Sequence, residues 1–122
     1  MSVINLEDKF SRFNDHWSPK VVAELNGQAV KLAKVMGTFV WHDHAEEDEL
    51  FHVVRGTLTI DFEDRDPVVL HPGELYVVPR GIRHRPRTAP DEEVWLLLLE
   101  PIATRHTGDV DSPMTVRNYE RL

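Results

Sequence analysis

From Lys20 onward the chain runs in short apolar stretches broken by turn residues, and before that point it does not. Near the start, Leu6, Phe10, Phe13 and Trp17 recur three or four residues apart, the spacing that lines one face of a helix. Asn5 stands in the capping position, with Asp8 three residues on, and Pro19 cannot continue a helix. One short helix is predicted there, its aromatic stripe packed against a sheet. The later runs cover 21–25, 29–36, 38–41, 50–54, 57–62, 68–70, 75–78 and 94–99. Between the first two stands Asn26-Gly27, the strongest short hairpin signal. Gly56, 64–67, Pro72-Gly73, 79–81 and Pro90-Asp91 break the others. Many short strands with frequent turns predict an all-β sandwich or barrel.

Two runs say what lies on either side of the sheet. In 57–63, Leu58, Ile60 and Phe62 alternate with Thr57, Thr59, Asp61 and Glu63, so one face is wet. The run 94–99 does not alternate, because Trp95, Leu97 and Leu99 are as apolar as Val94, Leu96 and Leu98. Both of its faces should be covered, the outer one by the N-terminal helix or by a second subunit. A homodimer is expected on that ground.

Composition narrows the class of protein. The 122 residues, 41% of them hydrophobic, suit one domain with one core. The net charge is −7, the basic residues gather into no long stripe that could follow a phosphate backbone, and the four arginines in 80–87 read as a loop rim, so no nucleic-acid partner is expected. Without cysteine there is neither a disulfide framework nor thiol catalysis. Residues 1–8 lack the basic-then-apolar order of a signal peptide, and the run 94–99 is far short of the roughly 20 residues that span a bilayer. A soluble cytoplasmic protein without a membrane partner is the expectation.

The candidate chemistry lies in 37–56, GTFVWHDHAEEDELFHVVRG. His42 and His44, two apart in an extended chain, project from the same face. After a turn through 45–48, Glu49 opens the next strand and can bring a carboxylate to the same point. Imidazole nitrogens and a carboxylate are ligands for a divalent metal. By itself the fragment also reads as two surface histidines beside a solvated acidic loop. The stretch 73–88, GELYVVPRGIRHRPRT, adds a glycine, five residues, and then Pro-x-Gly-x-x-His.

Together the two stretches resemble the paired signature motifs of the cupins, G-x5-H-x-H-x(3,4)-E-x6-G and G-x5-P-x-G-x2-H-x3-N, with sixteen residues, 57–72, between them. The resemblance covers roughly residues 20 to 100. It departs in two places: four residues rather than five separate Gly37 from His42, and Thr88 stands where asparagine is usual. The resemblance implies a single double-stranded β-helix, the cupin jelly-roll barrel, over 20–100. A helical segment, 1–19, precedes it, and a tail, 101–122, packs on the barrel or on a partner. It also implies His42, His44, Glu49 and His84 as ligands of one divalent metal ion, Fe, Mn, Ni or Zn. Gly56, Gly73, Gly81 and Pro79 fall on the family's turn positions.

If Glu49 faces the ion, parity puts Phe51 and Val53 on the pocket side and His52 on the other. By the same rule Val40, Thr38 and Met36 extend the inward face of His42, giving an apolar pocket for a small-molecule ligand. His16, His71 and His106 are expected in solvent, and Arg80 and Arg83 on the rim. Tyr76 or Trp41 is a possible polar handle. Three imidazoles and one carboxylate leave coordination positions open. The resemblance therefore implies a dioxygenase, decarboxylase or isomerase type of enzyme, the competing class being a non-catalytic small-molecule or sugar-binding module.

Overall fold

Asn5 fixes where the first element begins: its side-chain oxygen accepts from the Asp8 amide at 2.9 Å and starts α1, Leu6–Phe10. The computed structural model describes residues 2–108, 110–116 and 118–122. The helix is shorter than its aromatic spacing predicts. It ends at Phe10, and the chain beyond folds back so that Phe13 still meets Phe10, ring centres 5.9 Å apart. Trp17 leaves that face altogether, taking a left-handed φ of 57° and stacking on Phe39 at 4.5 Å.

The strands are β1 (Lys20–Leu25), β2 (Gln28–Val35), β3 (Glu49–Arg55), β4 (Leu58–Phe62), β5 (Val68–Leu70), β6 (Leu75–Val78), β7 (His84–Arg87), β8 (Val94–Pro101) and β9 (Glu120–Arg121). Asn26 and Gly27, at φ 49° and 76°, close the β1–β2 hairpin as the two-residue turn the sequence predicts. Six strands form one sheet in the order β6-β3-β8-β2-β1-β9, and three form the other, β5-β4-β7. Between them Phe51, Val53, Leu96 and Leu98 of the large sheet share a core with Leu58, Ile60, Phe62 and Leu70 of the small one. This is the all-β jelly-roll architecture with a short N-terminal helix that was expected.

One expected strand does not form, and β7 and β9 stand where none is expected. The run 38–41 forms no strand, only a bridge from Thr38 to Arg87, because Gly37 at φ 90° turns the chain out of β2. Conversely β7 is not predicted: HRPR offers no apolar run, and Pro86 is admissible because opposite β4 the strand meets only the irregular segment 38–42, where the Pro86 carbonyl accepts from the Phe39 amide at 3.0 Å.

The unalternating apolar run lies on β8, whose outward Trp95 and Leu97 pack with Phe10, Phe13 and Leu32. Phe10 stacks on Trp95 at 4.7 Å. The helix thus supplies the outer cover there. The C-terminal segment straps across the molecule's own barrel, with Thr104 and Thr107 buried and the Tyr119 hydroxyl donating to the Thr104 carbonyl at 3.0 Å. Among the described residues no helix is long and apolar enough to cross a membrane.

Candidate metal centre

The site forms where the two sheets meet at one end of the barrel. Glu49 opens β3 in the large sheet, and His84 opens β7 in the small one. His42 and His44 come from the segment between β2 and β3. His42 is pinned to β7 by a two-way backbone bridge, its N–H donating to the His84 carbonyl at 3.0 Å and its carbonyl accepting from the His84 N–H at 2.8 Å. The Gly81 amide donates to the His44 carbonyl at 2.7 Å, so the Pro79-to-Gly81 turn holds the other histidine.

All four side chains are buried, at 0–3% exposure, and each offers one ligand atom within 4.8 Å of the others. Their tautomers are set from behind. His42 Nδ1 donates to the Val40 carbonyl at 2.9 Å and His84 Nδ1 to that of Ile82 at 2.8 Å, which leaves each Nε2 as a lone pair. Those two Nε2 atoms, both ring nitrogens of His44 and Oε1 of Glu49 are buried without a hydrogen-bond partner. His44 Nε2 stands 3.4 Å and His84 Nε2 3.7 Å from Glu49 Oε1, too far for well-formed hydrogen bonds. Leaving so many polar atoms unpaired inside a core costs several kcal/mol, of order ~1–3 for each. A divalent cation would satisfy one of these atoms from each of the four residues together, so the donor set fits a metal ion.

The electrostatics agree. Burial, then the neighbouring His84, pushes the His42 pKa down to about 3, which keeps the imidazole neutral as a ligand must be. For His44 burial acts downward, but the Glu49 carboxylate, with Glu47 and Asp43 beyond it, raises the pKa. Burial favours the protonated form of Glu49, yet the Glu100 carboxyl beside it and the His44 and His84 imidazoles facing it hold its carboxyl well below the usual range. Glu100 goes the other way, pushed well up by burial and by the charge on Glu49.

The chain matches the family model described as Cupin domain over residues 29–100. It belongs to the cupin family. A crystal structure of a cupin-2 domain containing protein from Shewanella frigidimarina is 52% identical, covering 81% of this chain and 94% of that one, with a TM-score of 0.77. The protein YdbB of Bacillus subtilis is 40% identical over 67 residues, which are 55% of this cupin and 59% of that protein's length. The chain thus matches less than two thirds of that curated relative. A hydroquinone 1,2-dioxygenase from Sphingomonas shares the fold at a TM-score of 0.73 and 22% identity, covering 82% of this chain and 32% of that one.

The pocket of this cupin differs from the one parity predicts. An apolar cavity of about 30 Å³ reaches His42 and Glu49 and is lined by Val35, Phe39, Phe51 and Leu96 among others. Of the five expected wall residues only Phe51 lines it. Met36 and Val40 are half-buried elsewhere, Thr38 is exposed, and Val53 is fully buried in the core. The turn at Gly37 shifts the inward parity from Thr38 and Val40 to Phe39. Trp17 also lines the cavity, its Nε1 donating to the Met36 carbonyl at 3.0 Å. Neither Tyr76, which packs on Phe62, nor Trp41, under Arg85, does.

A second, polar cavity of about 400 Å³ opens between the metal loop and the strap, bounded by His44, Glu46, Glu47, Ala103, Arg105 and Gly108. The two meet there closely, since a Cβ at Gly108 (φ 60°) would lie 1.8 Å from the Asp43 carbonyl oxygen.

Of the remaining histidines His71 is exposed as expected, but His16 is half-buried and paired with Glu93 at 2.7 Å. His106 is only 6% exposed: it lines the inner cavity, and its Nε2 accepts from the Val116 amide at 2.8 Å. A tail histidine carries no sequence signal for such a place. Arg80 and Arg83 lie outward, paired with Asp48 and Glu63. Burial pushes the His106 pKa to about 4 from an ordinary 6.5. Undocking the strap restores the ordinary value, so docking is strongest above pH 6.5 and weakens as pH falls toward 4, by up to about 3 kcal/mol. Hydrogen-exchange protection in the strap, taken relative to the intrinsic rate at each pH, should therefore fall across that window, and less so in His106→Gln.

Proposed function

We propose that this cupin is a metal-dependent enzyme that holds one divalent ion through His42, His44, Glu49 and His84 and acts on a small, oxygen-rich organic molecule. The observation that carries the reading is the convergence of buried, unpartnered imidazole and carboxylate atoms beside a substrate-sized cavity. An ion held by these four residues would supply Lewis-acid activation or, were it iron or manganese, redox chemistry toward dioxygen. Three neutral imidazoles and one carboxylate carry a single negative charge among them, so a divalent ion held there would keep a net positive charge.

The rest is the chain's own work. Val40 and Ile82 fix the His42 and His84 rings through their carbonyls. The apolar inner cavity has room for one or two water-sized molecules, whereas the outer one is in the range of small-molecule sites. The substrate therefore approaches past His44, with the strap as its roof. There the Arg105 guanidinium, held by Asp111 at 2.9 Å and the Val110 carbonyl at 3.0 Å, offers a cation to a carboxylate or hydroxyl group.

Since a hydroquinone dioxygenase shares the fold, hydroquinones and catechols are the first substrates to assay, then diketones and keto acids. Oxygen consumption that needs Fe(II) and disappears in His84→Ala is the expected result. Binding of these compounds without turnover under any metal contradicts the enzyme and leaves a binding module. A second copy of the chain is the partner proposed for the outer strip that α1 leaves open, around the exposed Leu75 and Val77.

A further inference from the structure

Lys31 and Glu100 are fully buried charged side chains, both at 0% exposure, and neither is a ligand of the candidate centre. Register explains where they lie. Leu99 of β8 pairs with Leu50 of β3, so one step further Glu100 comes alongside Glu49 on the inner face of the sheet. Lys31 of β2 pairs with Leu98, diagonal to Glu100, and its Nζ donates to Glu100 Oε1 at 3.0 Å. The other oxygen, Oε2, is buried with no hydrogen-bond partner, and the register sets the Glu100 carboxyl across the strand pair from that of Glu49. From the strap side the Lys31 ammonium donates to the Thr104 carbonyl at 3.3 Å and sits 3.8 Å over the Tyr119 ring centre.

Packing alone gives no reason for this group. Two carboxyls side by side across a strand pair repel, and dehydrating a lysine costs several kcal/mol. The neighbouring inward positions, Ala33, Leu96 and Leu98, show that apolar residues fill this interior well. A charged pair behind a ligand does have a use if it fixes the direction of that ligand.

We propose that Glu100, anchored by Lys31, is a positioning residue that holds the Glu49 carboxylate with Oε1 turned toward His44 and His84. The proposal rests on the reading of those residues as a metal centre. The brace also ends on the strap, so the segment that roofs the outer cavity and the anionic ligand are joined through two side chains.

Co(II) binding to the full chain tests it, read by visible absorption and by competition with a chelator, alongside the thermal midpoint of each metal-free variant. Glu100→Leu should bind about 10–100-fold more weakly with an altered Co(II) spectrum, while Glu100→Gln should stay within about threefold of wild type. The glutamine can still accept from Lys31 and donate to Glu49. Lys31→Met should weaken binding in the same direction, and it carries the comparison if Glu100→Leu does not fold. Wild-type affinity and spectrum in Glu100→Leu or Lys31→Met, with only the midpoint lowered, overturns the brace alone. A wild-type chain that binds no Co(II) overturns the metal centre and the brace with it.

Discussion

His84→Ala binds divalent metal at least ~100-fold more weakly than wild type and keeps its fold, since removing a ligand exceeds the loss expected for an outer partner. The ring leaves the centre of the site, where its Nε2 has no partner in the protein and so contributes little to the metal-free fold. What ties residue 84 into the structure is main chain: the two-way bridge to His42 and the pairing of β7 with β4. Alanine keeps both. The expected cost in metal-free stability is therefore about 1–3 kcal/mol, from the space the ring vacates and the lost bond to Ile82. Isothermal titration and urea unfolding of one sample separate the two effects. If the four residues were a polar cluster of the apo fold, stability would fall and metal uptake would not change.

Phe10→Ala is the largest stability change expected, about 3–5 kcal/mol. Its ring is 0% exposed, stacked on Trp95 and beside Phe13, and it is the residue through which α1 grips the outer face of β8. Lys34 donates to the Phe13 carbonyl at 2.7 Å and lies 4.9 Å over the Trp95 ring, so the same patch is tied by a cation that needs the aromatic cover. Urea unfolding reads the loss directly. Metal affinity should stay at the wild-type value, because Glu49 projects from the opposite face of that sheet and the other three ligands come from β7 and the segment before β3. A parallel loss of metal binding would show that the helix acts on the site.

The ligand set was legible because it depends on spacing. Two histidines two apart, a glutamate at the head of the next strand, and a Pro-x-Gly turn before the fourth residue are local facts, and the strands carry them to one point. The wall was not legible, because parity counts only while the chain stays extended and Gly37 breaks it two positions after β2 ends. Phe39 then takes the inward place that counting assigns to Thr38 and Val40. The helix was overcounted for a related reason: Phe13 keeps a helical interval while lying in a loop, since a chain folded back over a helix face presents its apolar residues to the same core.

Buried polar residues gave the least warning. Lys31 sits in a strand beside two other lysine-flanked apolar positions and reads as solvent-facing, and Glu100 falls just past the apolar run that defines its strand. His106 and Thr104 belong to a tail too polar to suggest burial. Each becomes buried because a partner exists across the fold: Lys31 for Glu100, Tyr119 for Thr104, and the Val116 amide for His106. Such pairings join residues up to 73 positions apart, as with Lys31 and Thr104, beyond the reach of any local pattern.

The central claim is that four side chains form one metal centre, and anomalous diffraction from crystals grown with a divalent metal, collected on both sides of its absorption edge, tests it most directly. One peak per chain is predicted, about 2.0–2.3 Å from Nε2 of His42, Nε2 of His84, a ring nitrogen of His44 and a carboxylate oxygen of Glu49. No peak between these residues at full metal loading, or a peak elsewhere with their rings unmoved, contradicts it.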